Sequence, residues 1–194
     1  MTNNENIIVE THPWEPFIPQ DAKVLIMGTF PPGEHRWSMD FYYPNPTNDF
    51  WRIMSLLFLG DPNALYDARL KKFDLDRVKR LAADNGVALN DTAREVRRLK
   101  GNASDKFLEI LKPVPLFDLL SRMPECRDVA TTGEKAAGVI ASLTSTEVPK
   151  MGGFAVTDSG IRLWRMPSTS RAYPMKLAQK AEYYRKLFEA AGIL

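Results

Sequence analysis

The chain has 194 residues, 44% apolar and 26% charged, with a formal net charge of +2. This fits one soluble domain with a sizeable core, and so small a charge does not by itself announce a polyanion partner. A single cysteine, Cys126, excludes an intramolecular disulfide and a four-cysteine iron–sulfur cluster, and no apolar run approaches membrane-span length.

The start, MTNNENIIVE, lacks the basic and apolar regions of a signal peptide, so a cytoplasmic location is expected. Residues 1–22 read as an irregular arm punctuated by Pro13, Pro16 and Pro19, ahead of one domain over 23–194. Val24 to Met27 is an apolar run of the kind buried in a parallel sheet. A loop with Gly28, Pro31, Pro32 and Gly33 follows, dense in aromatics and prolines, and ends at Asn48, where an amphipathic helix to Leu59 is predicted. Phe50, Trp51, Met54, Leu57 and Phe58 fall on its core side, and Gly60 stops it. A second helix is predicted over 74–84, then a short strand Val87-Ala88-Leu89 leading to Asn90-Asp91. Helical patches are expected near Asp105–Leu111 and Leu116–Arg122. A strand over 128–131 turns at Gly133 into a helix through Leu143. Residues 154–157 and 161–166 read as a hairpin around Asp158-Ser159-Gly160. The segment MPSTSRAYP leads into a last helix, about 176 to 190. Strands alternating with helices predict a single α/β domain with a central, mostly parallel sheet and helices on both faces.

Ligands in such sheets bind beyond the carboxyl ends of the strands. Three unusual loops fall there, after Met27, Leu89 and Met166, and they are expected to build one cleft. The first brings aromatic faces and amides, which suit a flat heterocycle with a polar edge. Each loop also has a plainer reading: a turn at Gly28–Gly33, and helix caps at Asn90-Asp91 and at Pro167–Ser170. A small-hydroxyl loop at a helix start is equally a phosphate site. Basic residues outnumber acidic ones by 11 to 6 over 69–106 and by 7 to 2 over 161–194. These are solvated helix faces or a rim for a phosphate backbone.

The motifs resemble those of the uracil-DNA glycosylase superfamily, most of all its hypoxanthine-type and mismatch-specific branches. Gly28, Pro31 and Gly33, followed by Tyr43, Pro46, Asn48, Phe50 and Trp51, are similar to the first motif; MPSTSRAYP over 166–174 resembles the second. GVALND over 86–91 is similar to the strand whose end faces the base. The resemblance implies a monofunctional enzyme that flips a deaminated base, uracil or hypoxanthine, out of DNA and hydrolyses its glycosidic bond in base excision repair. It implies no cofactor, no metal and no iron–sulfur cluster, with DNA as partner, no membrane, and a monomer. Two rivals stand beside it: a catalytically silent nucleic-acid-binding module, and an enzyme or binder of free nucleosides or nucleotides.

By the same resemblance Asn48 is the catalytic residue, while it also reads as the cap of the helix that follows. Tyr43 would stack on the flipped base, with Gly28, Thr29 and Phe30 forming the pocket. Phe30 stands where the mismatch-specific branch has a catalytic asparagine, so it is assigned to the wall. Asn90 would read the base edge with its amide and favour uracil, since an amide both donates and accepts. Pro167, Ser168, Thr169, Ser170, Arg171, Tyr173 and Lys176 would contact DNA. Met166 stands where the uracil-specific branch has a histidine. Glu34 and Asp40 are the next catalytic candidates, and His12 and His35 offer no metal-ligand pattern.

Overall fold

The computed structural model describes residues 8–99 and 105–194. In chain order the elements are β1 (Val9–Thr11), β2 (Val24–Gly28), α1 (Phe50–Leu59), β3 (Tyr66–Asp67), β4 (Lys72–Phe73), α2 (Leu75–Asp84), β5 (Val87–Asp91) and β6 (Ala93–Arg98). There follow β7 (Leu108–Pro113), α3 (Leu116–Ser121), β8 (Asp128–Thr132), α4 (Glu134–Thr144), β9 (Phe154–Val156), β10 (Arg162–Met166) and α5 (Leu177–Ala190).

Short, wholly apolar strands are stable only when both faces are covered, and that is what the chain builds. The central sheet runs β5-β2-β8-β10-β9, parallel throughout except for β9 at one edge. Side chains alternate across it. Val24, Ile26, Val87, Leu89, Ala130, Trp164 and Met166 join the core formed with α1, α2 and α5. Leu25, Met27, Ala88, Val129 and Leu163 join the core under α3 and α4. The domain is thus α/β with helices on both faces, as its sequence predicts. Helix α1 ends where predicted: Gly60 is left-handed (φ 75°), and its N–H reaches the Leu56 carbonyl at 3.1 Å.

Two expectations differ from the structure. The helical patch near Asp105–Leu111 is a 3-10 turn over 105–107 followed by strand β7, which pairs antiparallel with β6. Ala93 and Val96 are both buried, although three residues apart, because the β6–β7 register shifts between them. Such a bulge gives a strand a spacing of apolar residues that imitates a helix. The arm over 1–22 was expected to be irregular; residues 1–7 lie outside the described residues. Residues 9–11 form β1 against β6, and Phe17 bridges Leu89 through hydrogen bonds of 3.0 and 2.9 Å. The arm thereby covers the open edge of β5, a pairing no local pattern announces. Among the described residues no helix is long and apolar enough to cross a membrane.

Candidate active site

The carboxyl ends of β2, β5, β8 and β10 meet at a cleft of about 260 Å³. Its lining comes from the loop after β2, from Asn48 at the entrance to α1, from Asp91 and Thr132, and from residues 168–172 after β10. The three loops converge as parallel topology requires.

Asn48 lines the cleft half-buried. Its Oδ1 accepts the N–H of Phe50, the first residue of α1, at 2.8 Å. The carbonyl end is therefore committed to the helix start, and the amide NH2 is the end left to serve a ligand. Asn48 also bridges Ser170 by backbone pairing, and the Asp49 N–H donates to the Thr169 carbonyl at 2.8 Å. Buried Asp49 reinforces this seam: its carboxylate receives Lys180 Nζ at 2.9 Å and Arg171 Nε at 3.0 Å. Lys180 is fully buried and also donates to the Ser170 carbonyl at 2.8 Å.

Tyr43 lines the cleft in a left-handed backbone conformation (φ 53°), uncommon for a non-glycine residue and typical of positions held by their surroundings. Its ring stacks on Phe50 with centroids 4.0 Å apart and planes 25° from parallel. Its hydroxyl lies 3.2 Å from Thr132 Oγ1. Burial, with the negative charge of Asp91 adding to it, holds the phenol well above its ordinary pKa, so Tyr43 is a neutral hydroxyl. Gly28 has no room for a side chain: a Cβ there would lie 2.6 Å from Asp91 Oδ1 and 3.4 Å from the Tyr43 hydroxyl. Thr29 is buried against the wall, and Phe30 packs edge-on to His12 at 5.4 Å with Arg98 over its ring at 5.7 Å.

Asn90, expected to read the base, is not brought to the cleft. It is fully buried, its Oδ1 accepts from the Tyr42 hydroxyl at 3.0 Å, and its neighbours are Glu15, Pro16 and Arg94. Consecutive strand residues point to opposite faces, so Asp91 takes the cleft position that the sequence reading gave to Asn90. Asp91 is 6% exposed, and its Oδ2 accepts from His12 Nε2 at 2.9 Å. Among the described residues it is the one carboxylate that lines the cleft. Glu34 and Asp40 are exposed and do not line it, and the Asp40 carboxylate accepts from Trp14 Nε1.

In the second loop Ser168, Thr169, Ser170 and Arg171 line the cleft. The hydroxyl oxygens of Ser168 and Ser170 accept backbone N–H groups two residues on, leaving their O–H hydrogens available. Thr169 is buried, as is Pro167, whose carbonyl accepts from the Tyr184 hydroxyl at 3.1 Å. Tyr173 donates to Met151 Sδ at 3.3 Å and does not line the cleft; Lys176 is exposed at the start of α5, also outside it. Arg36 and Arg171, both exposed, put positive charge at the cleft. No cluster of three or more His, Cys, Asp or Glu suited to a metal occurs among the described residues.

An open parallel sheet with one cleft at its carboxyl edge defines the class of architecture. Within it, the chain shares its fold with a protein of known structure. It superimposes on the solution NMR structure of a protein from Methanosarcina acetivorans described as a "putative Uracil DNA glycosylase", with a TM-score of 0.67 and 19% identity over 95% of this chain and 99% of that one. No protein-family profile matches the sequence, and no curated protein does.

Proposed function

We propose that the protein is a monofunctional DNA glycosylase, hydrolysing the N-glycosidic bond of a flipped, deaminated base in base excision repair. The observation that carries this is the convergence in one cleft of a free amide NH2 (Asn48), an aromatic wall (Tyr43, Phe30), two serine hydroxyls and two arginines. Each has a part in the reaction. The base enters the pocket against Tyr43, a contact worth about 1–3 kcal/mol. As the glycosidic bond lengthens, negative charge gathers on the base, and the Asn48 N–H groups donate to it. Ser168, Ser170, Arg171 and Arg36 hold the phosphates flanking the extruded nucleotide.

The serine and arginine rim favours a polymer over a free nucleoside, and the free amide favours an enzyme over a silent binder. With Asn90 turned away, the preference for uracil loses its support. The substrates we assign are bases with a carbonyl beside an N–H, which uracil and hypoxanthine share. The lone, buried Cys126 suits a reducing, cytoplasmic setting, and we propose that the protein acts there as a monomer.

The test uses end-labelled oligonucleotides carrying uracil, hypoxanthine or xanthine. Strands should break only after alkali, because among the described residues no lysine lines the cleft to form a Schiff base. Oligonucleotides that all stay intact at enzyme excess refute the reading; breakage without alkali replaces it with a lyase.

A further inference from the structure

Asn48 cannot do all the chemistry. Hydrolysis needs an acceptor for the proton of the attacking water, and the Asn48 oxygen is already engaged by the Phe50 N–H. Among the described residues, the rest of the lining is hydroxyls, aromatics, prolines, an amide, cations, a glycine and an alanine, and Asp91 is its one carboxylate.

The carboxylate of Asp91 is held on one side only. His12 Nε2 donates to Oδ2, and His12 is itself fixed by Trp14: its Nδ1 lies 3.0 Å from the Trp14 carbonyl and 3.2 Å from the Trp14 nitrogen. Oδ1 has no hydrogen-bond partner among the described residues. It lies close over Gly28, where the missing side chain makes space for it. A carboxylate with one oxygen anchored by an imidazole and the other directed at a cleft is arranged as a general base. The contact joins residues 79 positions apart and gives the N-terminal arm a part in the site.

Resting on the glycosylase reading above, we infer that Asp91 is a second catalytic residue, the acceptor for the nucleophilic water, and that His12 is its positioning residue. The water oxygen bonds to C1′ as the C1′–N bond breaks and its electron pair leaves with the base. Oδ1 takes the water proton, and the base anion, held by Asn48, is later protonated by solvent. The products are a free base and an abasic sugar with a C1′ hydroxyl. No metal, oxidant or covalent intermediate is needed to balance the step. The charged and titratable groups that face Asp91 or share its cleft are His12 from the arm, Tyr42 and Tyr43 from the aromatic loop, and Arg36 and Arg171 at the opening.

The experiment is single-turnover excision from a uracil- or hypoxanthine-containing duplex, alongside binding to an abasic duplex. Asp91→Asn should excise roughly 10²–10⁴-fold more slowly, with abasic binding retained. His12→Ala should lose part of the rate, and His12→Gln, which restores an N–H donor, should recover it; a merely structural role would not follow the donor. Asp91→Asn at wild-type speed, while Asn48→Ala is slow, overturns the assignment and leaves the glycosylase reading intact. If Asp91→Asn does not fold, the two His12 variants decide: rates that do not follow the N–H donor overturn the assignment instead. Absence of base release by the wild type overturns both.

Discussion

Asn48 has two separable duties, and substitutions can pull them apart. Its oxygen holds the first N–H of α1; its nitrogen is the proposed donor to the departing base. Asn48→Ala removes both. Loss of a side-chain acceptor at a helix start costs about 1 kcal/mol, which in a chain of this size lowers Tm by about 2–4 °C. Loss of one preorganised donor should slow single-turnover excision by roughly 10²–10³. Asn48→Asp keeps the oxygen and adds a negative charge that a helix N-terminus favours. It should melt at or above the wild-type temperature while losing at least as much rate, since an anion would now face the negative charge growing on the base. The assay pairs thermal melts with excision at enzyme excess, with abasic-duplex binding as the control for an intact site. Wild-type excision by Asn48→Asp would refute the donor role. A melting loss in Asn48→Ala with no loss of rate would show that capping is the residue's whole contribution.

Lys180→Met should be costly because it breaks a buried pair, which typically costs about 3–5 kcal/mol. Arg171, half-exposed, still meets Asp49, so the lower end applies; about 3 kcal/mol corresponds to a Tm roughly 6–12 °C lower. A melt indistinguishable from wild type would show that the pair contributes nothing net. Asn90→Ala should leave the ratio of uracil to hypoxanthine excision unchanged, because its amide contacts Tyr42 outside the cleft; a ratio that moves would return base selection to Asn90.

The parallel sheet was legible because Val24–Met27 and Val87–Leu89 are too short and too apolar to be surface helices. The two loops around Asn48 and Ser168 were legible because their residue types and spacing are unusual together. The choice between Asn90 and Asp91 was not. A strand's side chains alternate, so a one-residue error exchanges the cleft for the opposite face, and sequence does not say which face holds the cleft. The extension of the alternating series Val87, Leu89, Asp91 was the available signal. The His12–Asp91 contact spans 79 residues and leaves no local trace. Strand β6 was hidden by the bulge that sets Ala93 and Val96 three apart. Lys180 looked like a solvated helix lysine, yet it lies four before Tyr184 and seven before Leu187, on the stripe that α5 buries.

That buried lysine has a positional consequence. A buried ion pair is weak evidence for stability, since its desolvation offsets most of its attraction. What Lys180 does without ambiguity is hold two loops at once: it donates to Asp49 from the first and to the Ser170 carbonyl of the second. Asp49 is the chain neighbour of Asn48, and Ser170 is its backbone partner. The proposed donor to the base and the proposed phosphate contacts are therefore fixed relative to each other by one ammonium anchored in α5. Loops carry chemistry well when rigid elements define their geometry. Asp91 and His12 stand outside this unit, on β5 and the arm. The cleft is thus assembled from two walls: one carries the proposed donor to the base and the proposed phosphate contacts, and the other carries the proposed acceptor for the water.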